Sequence, residues 1–475
     1  MKNIICKVAF SIALTFIPFV IFAQLISDST YVEAKVRSKS NNKISYSNWR
    51  KFPTNTVEQL STPLASIKSI PTNIYGSNLN LKTKATGFFR TEKIAGKWWT
   101  IDPDGYAGVH VAVNSIVEGK SNRNQNSFKT LYGNQEQWIK NTANILSENA
   151  FNGAGSWSDV DVIKDWNKKA KKPVSYTVML NFMSKYGSKR GGTRQEAGHK
   201  GYPNNTIFVF DPEFEKYCDL AAAELVKYKD DKNLLGYFTD NELPFNIKNL
   251  QDYLSLPNKN DYGYLSAKKW LNDRNIKQEE ITDQNKADFL GFVADTYFSI
   301  VTKSIRKYDP NHLSLGSRFY SSEKNVKEFM QAAGKYLDVV SINYYNVWTP
   351  SQTSMSNWEK WSNKPMIVTE FYVKAEDSGL ANQSGAGWIV KTQKDKGLFY
   401  QNYCLGLLQS KSCIGWHWFK YQDNDPTYTK ADPSNNDANK GIVDNEYNVY
   451  QSLLSQMKSL NQNRYKLIEL LNKPK

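Results

Sequence analysis

The sequence is poor in the residues that metal and thiol chemistry require. It has four cysteines and four histidines, with no CxxC and no HExxH. His110, His199, His312 and His417 are scattered, so metal-ligand spacing is missing and neither a metal nor another cofactor is expected. Cys6 lies ahead of an apolar run, which leaves Cys218, Cys404 and Cys413. An odd, widely spaced set is not a disulfide framework. Three small buried thiols are expected, with one Cys404–Cys413 bond as the alternative. No glycine-rich phosphate loop follows the first apolar strand, which argues against a doubly wound dinucleotide-binding sheet. No internal repeat is visible either.

Long hydrophobic runs are confined to the first residues, MKNIICKVAFSIALTFIPFVIFAQ, where two lysines precede an apolar run from about Val8 to Phe22 and small Ala23. This pattern predicts a cleavable secretory signal over 1–23 and a secreted or periplasmic mature protein. The run is short for a membrane span and contains Pro18, so no span is expected after cleavage. Cys6 precedes the apolar core, which is the wrong place for a lipid-modified first residue.

Aromatic residues, by contrast, are plentiful. The chain carries 13 Trp and 28 Tyr, rings that suit sugar faces as well as core packing. A net charge of +15 is compatible with an anionic partner and equally with a lysine-rich soluble surface. Nucleic acid is not an expected partner, because no reading motif is present.

Residues 24–85 are rich in Ser, Asn, Thr and Lys without sustained periodicity, and predict a partly irregular extension carrying little chemistry. GFFRTEKIAGKWWTIDPDG then predicts a β-hairpin turned at Ala95-Gly96. Beyond it, short apolar strands alternate with helical stretches: VHVAVNS (109–115), FNGAGSW (151–157), VSYTVMLNF (174–182), LLGYFTDNE (234–242), LSLGSRF (313–319), VVSINYY (339–345), MIVTEF (366–371) and CIGWHWF (413–419). Helices are expected at 135–149, 212–229, 286–307, 323–335, 397–410 and about 446–462. Eight strands in this alternation predict a (β/α)8 TIM barrel spanning 86–462, followed by a tail over 463–475.

In such a barrel the chemistry sits at the C-terminal tips of the strands. Those tips carry Asn114, Trp157, Asn181, Asn241 with Glu242, Arg318, Asn343 with Tyr344 and Tyr345, Glu370, and Trp416, His417 and Trp418. Glu242 on the fourth strand and Glu370 on the seventh are far enough round the ring to face each other. Two facing carboxylates in an aromatic cleft can cleave a glycosidic bond, one donating a proton and the other attacking the anomeric carbon. A separation of about 5 Å implies retention, and about 6.5–9.5 Å implies inversion. Either glutamate alone could equally end its strand as an ion-pair or capping partner; both together favour catalysis. Trp416 and Trp418 alternate with His417, so one set faces the lumen and the other the helices.

Asn241-Glu242 at the fourth strand, Tyr344 or Tyr345 at the sixth, Glu370 at the seventh and a Trp at the eighth resemble the clan A retaining glycoside hydrolases. Within that clan, GFFRTEKIAGKWWTIDPDG, GYFTDNEL, IVTEF and GWHWFKYQDND are most similar to the β-agarase type, glycoside hydrolase family 50 and its marine-galactan relatives. The resemblance implies that Glu242 is the acid/base and Glu370 the nucleophile. It further implies that Tyr345, or else Tyr344, bonds the nucleophile and that Asn241 bonds the sugar 2-hydroxyl. The leader over 25–85 is too short for the separate β-sandwich that many agarases carry.

The loop SKYGSKRGGTRQEAGHK (184–200) follows the third strand and holds Lys185, Lys189, Arg190, Arg194, His199 and Lys200. Arg190 and Arg194 suit sulfate or carboxylate groups, with a merely soluble loop as the alternative. Asn181, Arg190, Arg194, His199, Arg318, Trp416, His417 and Trp418 therefore join Asn241, Tyr344 and Tyr345 as expected substrate contacts. The expected function is hydrolysis of a β-linked galactan-type polysaccharide, exo-acting. The alternatives are a β-glucan or β-mannan hydrolase and a non-catalytic carbohydrate-binding barrel.

Overall fold

The computed structural model describes residues 30–40, 43–191, 201–428, 430, 432 and 435–472. The expected signal segment and the loop positions Arg194 and His199 lie outside these.

Eight parallel strands form the barrel: His110–Val113, Gly153–Ala154, Ser175–Met179, Leu234–Phe238, Leu313–Gly316, Val340–Asn343, Met366–Phe371 and Cys413–Trp418. Numbered from the first, their order in the sheet is 5-4-3-2-1-8-7-6. The ring closes between strands 5 and 6 through a parallel bridge from Phe319 to Ile342. Each expected strand is present, shorter than expected because its tip leaves the ladder. Strand 4 passes so close to strand 5 that a Cβ on Gly236 would lie 2.2 Å from the Leu313 carbonyl oxygen. Only glycine fits there.

Two apolar clusters hold the barrel. Leu235, Phe238, Leu313, Leu315, Val339, Ile367 and Ile414 fill the lumen, and Tyr75 and Phe89 join them from below. A larger cluster lies between the strands and the outer helices. Helices Gln135–Glu148, Pro212–Ala222, Asp283–Tyr308, Lys327–Tyr336 and Gln393–Gln409 match the expected stretches. Seven further α-helices among the described residues, including Phe182–Arg190 and Gln352–Ser362, lie outside the expected stretches. The last helix, Gln451–Leu471, runs through residue 462, with Leu467, Ile468 and Leu471 buried. The expected tail is thus largely the second half of that helix.

The described residues of the N-terminal extension, 30–40 and 43–85, wrap the barrel from mouth to base. Tyr31–Lys35 pairs antiparallel with Arg50–Pro53 and with Ile389–Val390, in the segment after strand 7. The Trp348 indole donates to Thr54 Oγ1 at 3.2 Å, and Asn55 N donates to Asn402 Oδ1 at 2.9 Å. The chain then descends past the last helix, where Lys466 bonds the Leu64 carbonyl. The hairpin Arg90–Ile94 with Lys97–Ile101 turns at Ala95-Gly96 as expected and caps the base, Trp98 N donating to Lys411 O. Cys218, Cys404 and Cys413 are buried free thiols. Among the described residues no helix is long and apolar enough to cross a membrane.

Candidate active site

The mouth of the barrel is built on strained backbone. Ser115, Trp157, Asn181, Glu242, Arg318 and Asn346, which follow strands 1 to 6 in turn, all have positive φ, between 53° and 64° except for Glu242 at 48°. Asparagine tolerates this conformation, whereas Trp, Glu and Arg adopt it at a cost of about 1–3 kcal/mol each. Such strain concentrates at functional sites. Here the positive φ at each tip ends the strand alternation.

Glu242 is anchored by Glu242 N donating to Ser317 O at 3.0 Å. Its carboxylate Oε1 accepts from Asn343 Nδ2 at 2.8 Å, and the same amide reaches Asn241 Oδ1 at 3.3 Å. Asn343 Oδ1 accepts from Thr369 Oγ1 at 2.8 Å. Glu370 follows Thr369 directly, so a single asparagine ties the two carboxylate-bearing strands together.

Glu370 is held from both sides. Arg318 Nη2 donates to Oε1 at 2.5 Å and Tyr345 OH donates to Oε2 at 2.8 Å. Arg318 is wholly buried and also bonds the Thr369 carbonyl at 3.1 Å, which Asn114 Nδ2 shares at 2.9 Å. Its Nε and Nη1 have no hydrogen-bond partner among the described residues, and its guanidinium lies 5.5 Å from the Phe238 ring centre and 5.8 Å from that of Trp157. Burial, and then the Glu370 charge, holds the Tyr345 phenol well above the usual tyrosine range, so it remains a donor.

A chain of hydrogen bonds beneath this pair fixes the histidine tautomers. Ser175 Oγ donates to Asn152 O at 2.7 Å, so His110 Nε2, at 2.9 Å from Ser175 Oγ, is the donor there. His110 Nδ1 must then accept from His417 Nε2 at 2.8 Å, which leaves His417 Nδ1 as a buried acceptor. Burial pushes His110 down to about 3, and burial with His110 and Arg318 nearby pushes His417 well below its ordinary range. Both rings are neutral, and Arg318 is the cation facing Glu370.

Asp240, two residues before Glu242, does structural work. Its carboxylate accepts from Met183 N at 2.9 Å, Ser184 N at 3.1 Å and Tyr297 OH at 2.6 Å, capping the helix Phe182–Arg190. Burial raises its carboxyl to about 7 against the pull of these donors.

The remaining expected contacts divide. Tyr344 points away from the site: its hydroxyl accepts from Ser351 N at 3.1 Å and its ring packs edge-on against Trp358. Of the two expected tyrosines, Tyr345 is therefore the one bonded to Glu370. Trp416 and Trp418 are fully buried and face outward, Trp416 Nε1 donating to Tyr400 OH at 2.7 Å and Trp418 Nε1 to Lys440 O at 3.0 Å. As sugar platforms both are corrected: alternation puts His417, not the tryptophans, in the lumen. Trp157, 39% exposed, is the ring at the rim. Asn181 starts the helix Phe182–Arg190 and is half-buried. Arg190 is engaged by Asp211 at 2.8 Å and Asp261 at 3.2 Å, with its guanidinium 4.1 Å from the centre of the Phe208 ring. Its charge is thus already offset by two carboxylates. Asn343 and Asn114, readable as tip residues, emerge as the connectors.

No family model matches the chain. Two β-agarases of Vibrio sp. (strain JT0107) are similar to it. β-Agarase B is 26% identical over 478 residues, covering 81% of this chain, and β-agarase A is 24% identical over 390 residues, covering 72%. The chain spans about half the length of the first, 49%, and 37% of the second. The crystal structure of BpGH50 superposes with a TM-score of 0.79 at 30% identity, covering 94% of this chain and 96% of that one. With that identity sustained over nearly the whole of both molecules, the chain belongs to glycoside hydrolase family 50.

Proposed function

We propose that this protein hydrolyses a β-linked, agar-type galactan by a retaining mechanism. The observation that carries the reading is the unequal environment of two carboxylates on one mouth. Glu370 accepts from a buried arginine and a tyrosine, donors that orient a carboxylate for attack. Glu242 accepts from the amide of Asn343, which aims its carboxyl group for proton transfer.

In the first step Glu370 attacks the anomeric carbon as Glu242 gives its proton to the departing oxygen. In the second, Glu242 takes a proton from water, whose oxygen attacks the same carbon and releases Glu370. Asn241, beside Glu242, bonds the 2-hydroxyl, and Trp157 offers its exposed face to a neighbouring sugar. Secretion follows from the N-terminal signal, since a polysaccharide is met outside the cell. The extension strands and the segment after strand 7 wall one side of the mouth, which supports exo action on chain ends.

The test is a screen of agarose, porphyran, carrageenans, laminarin and β-mannan with product sizes read by chromatography. Release of one short product from agar-type chains is expected. Turnover confined to laminarin or mannan would replace the substrate assignment.

A further inference from the structure

The N-terminal extension, read from sequence as carrying little chemistry, places a charged group at the active-site mouth. Arg37–Ser40 pairs antiparallel with Lys43–Tyr46, Arg37 standing opposite Tyr46. The Tyr46 hydroxyl accepts from Lys374 Nζ at 2.6 Å. Lys374 lies on the segment that leaves strand 7 just after Glu370 and Tyr372. The Tyr372 ring packs edge-on against Tyr345 at 5.4 Å, and Tyr345 bonds Glu370. On the other side, Tyr320 packs edge-on against Tyr345 at 5.9 Å. The Arg37 charge acts on the phenols of both Tyr46 and Tyr320, and the Tyr320 phenol also feels Glu242 and Glu370. The hairpin thus borders the segment that leaves strand 7 after Glu370.

Arg37 differs from the other arginines near acids. Arg123, Arg190, Arg306 and Arg318 each face a carboxylate. Arg37 Nε is buried and has no hydrogen-bond partner among the described residues. Its neighbours add positive charge: Lys374 and Lys440 are buried, and Lys440 Nζ lies 5.3 Å from the Tyr372 ring centre. Nearby, Asp432 pairs with Lys440 at 2.8 Å, and Asp437 accepts from Gln383 N at 2.8 Å and Ser384 N at 3.2 Å. Burial, and then repulsion from Lys440, pushes the Lys374 amine down to about 7. A partly desolvated guanidinium among lysines is costly unless an anion joins it, and its fork matches the oxygens of sulfate or carboxylate.

We propose that Arg37, presented by the N-terminal hairpin, binds an anionic substituent of the saccharide, a sulfate ester or a carboxylate, beside the sugar held by Glu242 and Glu370. This rests on the hydrolase reading above and narrows its substrate to a charged galactan.

The experiment uses oligosaccharides of one galactan backbone in sulfated, carboxylate-bearing and neutral forms, with wild type, Arg37→Ala, Arg37→Lys and, as a control, the exposed Arg50→Ala. Wild type is expected to prefer one anionic form, and which one identifies the substituent. Arg37→Ala is expected to lower the anionic-to-neutral ratio of kcat/KM by about 10- to 100-fold, through KM, the scale of a charge-assisted hydrogen bond. Arg37→Lys should recover part of it, raised salt should shrink the wild-type preference, and Arg50→Ala should leave the ratio unmoved. An unchanged ratio in a folded Arg37→Ala protein, or wild-type preference for the neutral form, overturns the anion site and leaves the hydrolase reading standing. If wild type cleaves none of the three, and Glu242→Gln binds none by calorimetry, the hydrolase reading fails and this inference falls with it.

Discussion

Asn343 Nδ2 donates to Glu242 Oε1 at 2.8 Å, and this contact joins two halves of the mouth, because the other end of the same amide is held by Thr369, next to Glu370. Replacing Asn343 with Ala removes the donor and leaves Thr369 Oγ1 without its acceptor. We expect kcat to fall by about 100-fold or more, the scale of a lost precisely placed donor, with far-UV circular dichroism unchanged. Near wild-type kcat in Asn343→Ala would show that Glu242 is positioned by other contacts.

The two glutamates can be told apart chemically. Glu370→Ala and Glu242→Ala should each lose several orders of magnitude in turnover, as expected for the reacting pair of a retaining hydrolase. Azide added to Glu370→Ala should restore activity and yield an α-glycosyl azide, since it attacks the substrate directly. Azide added to Glu242→Ala should yield the β-glycosyl azide by intercepting the covalent intermediate. Exchanged products would reverse the assigned roles.

Arg318 and Tyr345 should separate stability from chemistry. Arg318→Met leaves Glu370 with one donor in a buried site, and breaking such a pair costs about 3–5 kcal/mol. A clear drop in the thermal midpoint is expected together with loss of turnover. Tyr345→Phe removes only the 2.8 Å bond, so kcat should fall about 10- to 100-fold while the midpoint moves little. A Tyr344→Phe variant, by the same geometry, should keep its activity within a few-fold.

Asp240 gives a pH signature in stability. Its folded value, about 7, is raised above the ordinary 3.8 by burial. The folded protein therefore holds this proton where the unfolded chain has lost it. The contribution is fully present below pH 3.8, declines as pH rises towards 7, and is gone above it. Over that window the effect is on the order of a few kcal/mol. Urea midpoints of Asp240→Asn measured from acid to neutral pH should lack this component. Parallel curves for wild type and variant would exclude Asp240 as its source.

Gly155 tests the packing of the lumen below Glu370. A Cβ there would lie 2.2 Å from Asn114 Oδ1 and 2.9 Å from His417 Nδ1. Gly155→Ala should push Asn114 off the Thr369 carbonyl and destabilise the protein by about 1–3 kcal/mol, with activity falling in step. An unaltered melting curve would mean that the Asn114 side chain can give way freely.

Much of the barrel was legible in the sequence because its signals are local. Each strand announces itself as a short apolar run, and the rule that polar tips mark the mouth singled out Glu242 and Glu370 without any knowledge of distance. Several helices, such as Gln352–Ser362, and the strands of the extension were not legible. Their stability comes from packing onto the barrel more than from their own pattern.

The sequence by itself determined the eight-stranded alternation, the two glutamates and the strands that present them, since these are properties of neighbouring residues. Tertiary structure alone decided that Tyr345, not Tyr344, holds Glu370, that Arg318 is its counter-ion, that Asn343 joins the two sides, that Trp416 and Trp418 face the helices, and that the Arg37 hairpin meets the segment after strand 7. The physical reason is that simple alternation ends at the tips. Strands 6 and 7 shift register between Ile342 and Asn343, and strands 7 and 8 shift between Val368 and Phe371. The tip residues after the first six strands then turn through positive φ, so where each side chain points is set by what it packs against across the barrel.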